Sequence, residues 1–509
     1  MSSRTRNSLL NISSGLIGQV VFLLTSFGVR TVFIYVLGAT YLGISGLFGN
    51  ILSLLSLAEL GFGQAIIFAL YKPIAENNEE KIGALMGLFK RVYFWMFVII
   101  SILGLALTPF LEFFVKQPVE IPHFQLIYTL YVISTSSSYL FSYRKSLLFA
   151  TQKNYVSTNI TTKFYIAGAI FQILVLLLWR NFILYLLVQI LNTLIQDIYI
   201  SYKTNRLFPG IHRRENNRLP DADRKGIIKN VKALVIYKIG TLSLNSTDNL
   251  IISRFVGLLQ VGYYSNYWLL CTSVSGILST IFSNLTASIG NLNATESKEK
   301  QLQVFFNINT TTFWFYGIAC LCLSTCMTPF IRLWIGEKYV LSTATTFIIA
   351  FNQYIAGMLY SPFNYRQTLG LFVQGKLRPV ISAVLNVGLS IVLAIYFGLP
   401  GVLWGTAITR LVTNVWYDPY VVFKRGLQTS PKKYFIDYIY KMIVYVATAI
   451  ACDLIVSRIQ LSPFINLLLT LVTTLIIGVG SFYIFFGRNE GTIYLFNTLK
   501  NSINILKAK

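Results

Sequence analysis

Long, continuous runs of apolar residues alternate with short polar segments along the whole chain. Each run is about twenty residues long, the length that an α-helix needs to cross the hydrocarbon core of a bilayer. The runs are apolar at successive positions, whereas strands of an outer-membrane barrel would alternate apolar and polar residues. The pattern predicts about fourteen transmembrane helices, at residues 13–37, 43–70, 89–111, 124–148, 158–179, 182–202, 231–256, 261–291, 304–331, 342–368, 378–398, 401–423, 436–457 and 462–486.

Composition supports an all-α polytopic membrane protein. Of the 509 residues 55% are hydrophobic and only 12% are charged, whereas a typical soluble protein is about 25% charged. The mean hydropathy of +0.62 excludes a water-soluble enzyme.

The formal charge of +24 reflects membrane topology rather than nucleic-acid binding. The cations lie in short segments between apolar runs and form no basic groove with interleaved aromatics. With the N-terminus in the cytoplasm, most of the 42 Lys and Arg lie on that side, and the positive-inside rule then places both termini there. The Lys and Arg residues predicted on the outer side of the membrane are Lys116, Arg180, Arg332, Lys338 and Arg458.

The two halves of the sequence repeat each other at a displacement of about 220 residues. Thr108-Pro109-Phe110 recurs as Thr328-Pro329-Phe330, and a nearly constant displacement at several places indicates duplication. Each copy holds six spans, so the copies share one orientation and form two six-helix lobes in parallel around a central cavity, a design typical of alternating access. Further matches pair Gly38/Gly43 with Gly257/Gly262, Phe94-Trp95 with Phe313-Trp314, Tyr143-Arg144 and Gln152 with Tyr365-Arg366 and Gln374, and Asp197, Tyr199 and Lys203 with Asp418, Tyr420 and Lys424.

The predicted domains follow from the repeat. Residues 1–202 form an N-terminal lobe of spans 1–6, and residues 231–425 form a C-terminal lobe of spans 7–12. Residues 426–509 add two further spans and a cytoplasmic tail. Residues 203–230 form a basic cytoplasmic linker. This linker is either a plain connector or a surface that attracts anionic lipid headgroups.

Eight polar residues inside the predicted spans are candidate cavity residues, because a charge in hydrocarbon costs about 2.5–3.5 kcal/mol unless it faces water or a partner. Arginine can grip two anionic oxygens at once. We therefore expect Arg30, Lys238 and Arg410 to make the cavity selective for an anionic group such as a pyrophosphate. The eight are Arg30, Asn50, Glu59, Gln64, Lys238, Asp248, Arg254 and Arg410.

Structural interpretations of the same residues stay open. Arg30 can pair with Glu59 or Asp248, while Arg254 and Lys238 can snorkel to the two membrane faces. Glu59 can form a bond between helices instead of contacting substrate. Asp248, in a polar cluster with Asn245 to Asn249, either binds a coupling proton or sodium ion or lines water.

Other polar residues receive structural roles. We expect Asp197 and Asp418 to pair with Lys203 and Lys424 near the cytoplasmic helix ends, and the Tyr143-Arg144 and Tyr365-Arg366 pairs to form a gate or to anchor helices. The five cysteines lie in or beside apolar segments, and both histidines lie in predicted loops. No metal centre or other cofactor is therefore predicted.

Several segments resemble the polysaccharide flippases of the Wzx type. The segments are Leu37–Gly43, Ala58–Ala65 and Ala69–Ala75 in the first lobe, with an echo at Val256–Ser265 after Asp248. These flippases belong to the multidrug, oligosaccharidyl-lipid and polysaccharide (MOP) exporter superfamily, and the resemblance covers nearly the whole chain.

The resemblance implies a MATE-like fold in the bacterial inner membrane. It also implies flipping of an undecaprenyl-pyrophosphate-linked oligosaccharide to the outer leaflet for capsule, exopolysaccharide or O-antigen synthesis. Cavity arginines would bind the cargo, with Arg30, Arg254 and Arg410 as the nearest candidates, and an ion gradient would supply energy. Expected partners are the lipid-linked glycan, membrane lipids, a polymerase and glycosyltransferases, with the transporter itself a monomer.

Three rival functions differ in their requirements. A MATE-like drug exporter would favour acidic groups for cationic drugs, whereas this cavity is predicted to be cation-rich. A lipid II flippase of the MurJ type shares both the fold and an anionic lipid cargo. A membrane enzyme such as a polymerase or acyltransferase would need a catalytic constellation, and the sequence shows no nucleophile, metal set or phosphate-cradling loop.

Overall fold

The computed structural model describes residues 3–56, 62–117, 121–215, 247–283, 296–369, 377–458 and 461–507, with residues 217, 219, 289, 292 and 371. Throughout these residues the regular elements are helices, as the sequence predicts. The chain divides into two compact units, Met1–Gly262 and Tyr263–Lys509. Unit 1 contains α1 Ser3–Leu37, α2 Ala39–Leu55, α3 Phe62–Ala75, α4 Glu79–Ala106, α5 Phe124–Ala150, α6 Asn154–Trp179, α7 Phe182–Leu207, α8 Pro209–Arg213, α9 Asp248–Ile251 and the start of α10 Leu258–Ser283.

Unit 2 contains the remainder of α10 and seven further helices. They are α11 Lys298–Ile335, α12 Thr343–Met358, α13 Tyr360–Thr368, α14 Arg378–Val421, α15 Lys432–Val456, α16 Pro463–Phe486 and α17 Glu490–Lys507. Short 3₁₀ segments cover Thr108–Phe114 and Glu337–Tyr339, and π-helical turns cover Ile252–Val256 and Val422–Leu427. The predicted domain boundaries at residues 202, 230 and 425 stay predictions.

Eight of the described helices are long and apolar enough to cross a membrane. One apolar segment, Arg378–Leu427, corresponds to two predicted spans, because Gly398 has non-helical dihedrals (φ 63°, ψ −137°). Across this break Ser382 bonds to Thr413 and Asn386 bonds to Thr406, both at 2.8–2.9 Å. These antiparallel contacts make α14 a helical hairpin, and they satisfy polar groups where lipid offers no partner.

Helices also begin at equivalent positions in the two copies of the sequence repeat. Helices α4 and α11 begin at Glu79 and Lys298, 219 positions apart. Each begins with the same cap, in which the side chain of Asn78 or Ser297 accepts a hydrogen bond from the backbone N–H three residues later. Such a cap satisfies one of the N–H groups that a helix start leaves unpaired. Local signals therefore set both helix starts at equivalent positions.

The starts of α2 and α10 are equivalent as well. Each follows a glycine with positive φ, Gly38 at 85° and Gly257 at 137°. Since residues with a Cβ rarely adopt such dihedrals, these glycines allow the chain to turn between successive helices. The repeated glycines in the sequence therefore mark repeated turns.

The apolar core of unit 1 lies mainly between α4 and α5. Met86, Phe89, Tyr93 and Leu147 are almost fully buried there. Ile211 of α8 joins the same cluster, so the first part of the predicted linker packs against the unit. In unit 2 aromatic rings of α12 and α15 pack together, with Tyr354 and Tyr445 stacked at 4.0 Å.

The close approach of α2 to the start of α10 generates a prediction. A Cβ on Gly43 would meet the backbone carbonyl of Leu258, so we expect Gly43→Val to destabilise unit 1 by ~1–3 kcal/mol through overpacking. Thermal unfolding of the purified protein in detergent measures this. Gly49→Val, at an open position of the same helix, is the matched control, and equal effects of both substitutions would contradict the expectation.

Candidate functional site

Arg30 lies on α1, in the last third of that helix, and its side chain is half-buried. It interacts electrostatically with Tyr185 of α7. The Tyr185 ring packs against Phe33, one turn further along α1, at 5.2 Å between ring centroids. Tyr185 of α7 thus lies beside this part of α1 in unit 1.

Asn50 and Asp248 belong to helices that pack against each other in unit 1. Asn50 is half-buried on α2 and donates to the Gly46 carbonyl at 2.8 Å. Gly46 in turn faces Asn249, the neighbour of Asp248, and Asp248 itself is buried as the first residue of α9. The structure therefore brings α2 and part of the predicted polar cluster together.

Arg254 is exposed and lies in the π-helical turn Ile252–Val256. Its Nη1 donates to the Val115 carbonyl at 2.9 Å, and its guanidinium lies over the Phe113 ring at 5.5 Å. Both partners come from the segment after α4. This contact ties two connecting segments of unit 1 together, and the snorkelling and substrate-binding interpretations of Arg254 both stay predictions.

Arg410 lies in the second half of the α14 hairpin and is half-buried. Its Nη1 donates to the carbonyl of Asn352 in α12 at 2.8 Å, and the Asn352 amide donates to the Leu403 carbonyl of α14 at 2.8 Å. The two helices are therefore joined by reciprocal polar contacts.

Three of the predicted site residues have no described side chain. Glu59 and Lys238 lie outside the described residues, as do Asn245 and Ser246 of the polar cluster. Gln64 lies on α3, but its side chain is likewise outside the description. The pairing of Arg30 with Glu59 therefore stays a prediction.

The structure reveals buried charge clusters that the sequence reasoning did not place in a site. In unit 1 Arg144 of α5 forms an ion pair with Glu215, and the two side chains are only 4% and 6% exposed. His212 approaches the same carboxylate at 3.3 Å. Next to Arg144, Lys145 pairs with Asp197 of α7 at 2.7 Å. These pairs fasten α5 to α7 and to the segment after α8.

Unit 2 carries the corresponding cluster at the repeated positions. Arg366 of α13 and Arg378 of α14 both bind the carboxylate of Asp418, each of the three side chains being at most 10% exposed. Arg366 also donates to the Leu371 carbonyl at 3.0 Å. Two guanidinium groups thus share one carboxylate in this part of unit 2.

The predicted partners of the two aspartates were wrong. Lys203 and Lys424 lie six residues after Asp197 and Asp418 on the same helical segment, whereas helix neighbours are three or four residues apart. The partners come instead from other helices, Lys145 from α5 and Arg366 from α13. In unit 2 the repeated Tyr-Arg and Asp motifs were a signal for the pairing of Arg366 with Asp418. In unit 1 they gave no signal for Lys145, which belongs to neither motif.

A further polar cluster lies in the helices outside the repeat. The ammonium of Lys441 on α15 is fully buried, and it donates to Asp437 at 2.7 Å and to Thr310 of α11 at 3.1 Å. The amide of Asn309 donates to the same aspartate at 3.3 Å. Asp437 borders a cavity of about 490 Å³ that Arg488 also lines. The sequence analysis did not single out Lys441.

The fold resembles solved membrane transporters. An inward-facing multidrug resistance MATE family transporter of the MOP superfamily matches with a TM-score of 0.62 at 12% identity, over 79% of this chain and 97% of that chain. The lipid II flippase MurJ in an inward closed conformation matches with a TM-score of 0.61 at 13% identity, over 95% and 99%. The MATE multidrug transporter DinF-BH in complex with R6G matches with a TM-score of 0.58 at 18% identity, over 84% and 98%.

The sequence itself matches no family model, and no curated protein matches it significantly. The comparisons thus confirm the expected MATE-like and MurJ-like fold, and they leave cargo, coupling ion and site residues as predictions.

The buried cluster of unit 2 generates a prediction. We expect Asp418→Asn to destabilise the protein by ~3–5 kcal/mol, because it leaves Arg366 and Arg378 buried without their carboxylate. Thermal unfolding in detergent is the measurement. The matched control is Glu337→Gln, which removes the carboxylate that Arg332 binds at an exposed site and where pairing contributes little. A variant Asp418→Asn as stable as that control would contradict the prediction.

Proposed function

We propose that this protein is a flippase that moves undecaprenyl-pyrophosphate-linked oligosaccharide units from the cytoplasmic to the outer leaflet for surface polysaccharide synthesis. It works by alternating access and catalyses no covalent chemistry. Half-buried arginines in the apolar helices of both units carry this proposal.

Arg30 and Arg410 are those arginines. Each lies within a long apolar helix, where an unsatisfied charge is expensive. Arg410 is held by its hydrogen bond to the Asn352 carbonyl, and Arg30 lies near Tyr185. A guanidinium within an apolar helix suits a bidentate contact with phosphate oxygens. The same positions would disfavour a cationic drug by charge repulsion.

The structural matches support a lipid flippase and a drug exporter equally. The match to MurJ includes 95% of this chain, whereas the two MATE transporters match 79% and 84%. Because MurJ is described as a lipid II flippase, the match to it also supports a second candidate function, the flipping of lipid II.

Several accompanying assignments belong to the same proposal. The protein resides in the bacterial inner membrane as a monomer with both termini in the cytoplasm. Asp248, buried at the start of α9, is the candidate site for a coupling proton or sodium ion. A polymerase and glycosyltransferases act on the same lipid-linked glycan and are its expected partners.

The first experiment is genetic complementation. In a strain lacking the gene we expect lipid-linked repeat units to accumulate on the cytoplasmic side and surface polysaccharide to fall. Wild type restores both. Arg30→Ala and Arg410→Ala restore transport at least about tenfold less well, because each loses a charge-assisted contact with the pyrophosphate. Arg458→Ala, an exposed arginine outside the apolar helices, is the matched control.

The outcomes separate the candidate functions. Accumulated lipid II with arrested growth would favour the lipid II flippase. Normal surface polysaccharide with altered tolerance of cationic dyes would reject both flippase functions in favour of a drug exporter. Full rescue by both Arg30→Ala and Arg410→Ala, at expression levels equal to wild type, would reject the proposed role of these arginines in cargo binding.

A further inference from the structure

A groove with a volume of about 360 Å³ opens on the surface of unit 1 beside α4. Lys90 and Arg91 line it, and both side chains are exposed. Phe94 and Trp95, one turn further along the helix, complete the same wall, with their ring centroids 6.3 Å apart. The groove therefore combines two cations with two aromatic rings.

The positive charge of this groove is not cancelled by the acidic residue that borders it. Glu215 also lines the groove, but its carboxylate is buried and pairs with Arg144. Among the described residues neither Lys90 nor Arg91 has an acidic partner, and the Arg91 Nε donates only a long bond of 3.4 Å to the Gly87 carbonyl. The groove is thus suited to an anion.

The cations lie where the charged part of α4 ends. From Val92 to Leu107 the sequence contains no charged residue. Lys and Arg at the end of such an apolar stretch extend toward the headgroup region, and tryptophan is enriched at the same depth. The groove is therefore placed to receive a headgroup with its acyl chains alongside the aromatic rings.

The equivalent face in unit 2 is covered by protein. The repeat aligns Phe94-Trp95 with Phe313-Trp314 of α11. Phe313 stacks on Phe482 of α16 at 4.4 Å, and the Trp314 indole N–H donates to Thr492 of α17 at 3.0 Å. Helices outside the repeat thus bury this face, leaving Phe313 and Trp314 0% and 6% exposed.

The residues at the positions of Lys90 and Arg91 also differ between the two copies of the repeat. At the same displacement Lys90 and Arg91 become Asn309 and Thr310, which bond to Asp437 and Lys441 of α15. The sequence repeat gives unit 1 no helices that correspond to α15–α17. The side chains of Phe94 and Trp95 are 51% and 62% exposed. A face that protein covers in one copy is exposed and cationic in the other.

We propose that the groove of Lys90, Arg91, Phe94 and Trp95 binds the phosphate headgroup of an anionic phospholipid, which covers in unit 1 the face that α15–α17 cover in unit 2. Juxtamembrane cations bind anionic headgroups electrostatically. A second copy's α17 is a poor occupant, because Lys500 and Lys507 outnumber Glu490 in that helix and would repel the groove. The proposal does not depend on the transported cargo.

Native mass spectrometry of the purified full-length protein tests the proposal, with phosphatidylglycerol and phosphatidylcholine as probes. We expect wild type to retain phosphatidylglycerol preferentially and the double variant Lys90→Gln/Arg91→Gln to bind it at least about tenfold more weakly. The matched control is Lys424→Gln/Arg425→Gln, an adjacent and exposed Lys-Arg pair in unit 2. Equal loss in both double variants, or retention of a second protein copy in place of lipid, would overturn the proposal.

A second measurement uses tryptophan fluorescence quenching and substitutes no charged residue. In nanodiscs, brominated phosphatidylglycerol should quench the tryptophan fluorescence more strongly than brominated phosphatidylcholine at equal mole fraction. Trp95→Phe should remove this difference, since the other six tryptophans lie elsewhere. A difference that persists undiminished in Trp95→Phe would place the preferred lipid at another site and reject this one.

Discussion

A charge buried among apolar helices must find a partner within the protein, because lipid offers none, and the arrangement of helices at one end of each unit follows from this requirement. In unit 1 Asp197 and Glu215 are paired by Lys145 and Arg144. In unit 2 Asp418 is paired by Arg366 and Arg378. Each pair joins residues that are distant in sequence, so the charges fix which segments meet.

Duplication explains why the two clusters are similar, and divergence explains why they differ. The aspartate and the Tyr-Arg motif recur at displacements of 221 and 222 residues, yet Asp197 pairs with the lysine after the motif whereas Asp418 pairs with the arginine within it. Arg144 is then free to bind Glu215 of the segment after α8. The unit 1 pairing thereby anchors the beginning of the predicted linker, and the unit 2 pairing closes a hairpin instead.

The helices outside the repeat extend the same contrast to the protein surface. In unit 2 the buried ammonium of Lys441 and the ring of Phe482 tie α15 and α16 to α11. Unit 1 has no such helices in the repeat, and its corresponding face carries Lys90 and Arg91. The repeated surface is thus covered by added helices in unit 2, whereas in unit 1 it forms a cationic groove.

The sequence by itself determined the all-helical architecture and the duplication, whereas the spans predicted at 89–111 and 304–331 begin later than the helices at Glu79 and Lys298. Apolar run length, caps at Asn78 and Ser297 and glycines at 38 and 257 act locally, so they can be read without a structure. The two aspartate pairings, the buried Lys441 cluster and the surface contact of Arg254 depend on residues brought together from distant helices. Only the tertiary structure decided those, because side-chain pairing across helices follows from packing geometry, which a one-dimensional pattern of polarity does not contain.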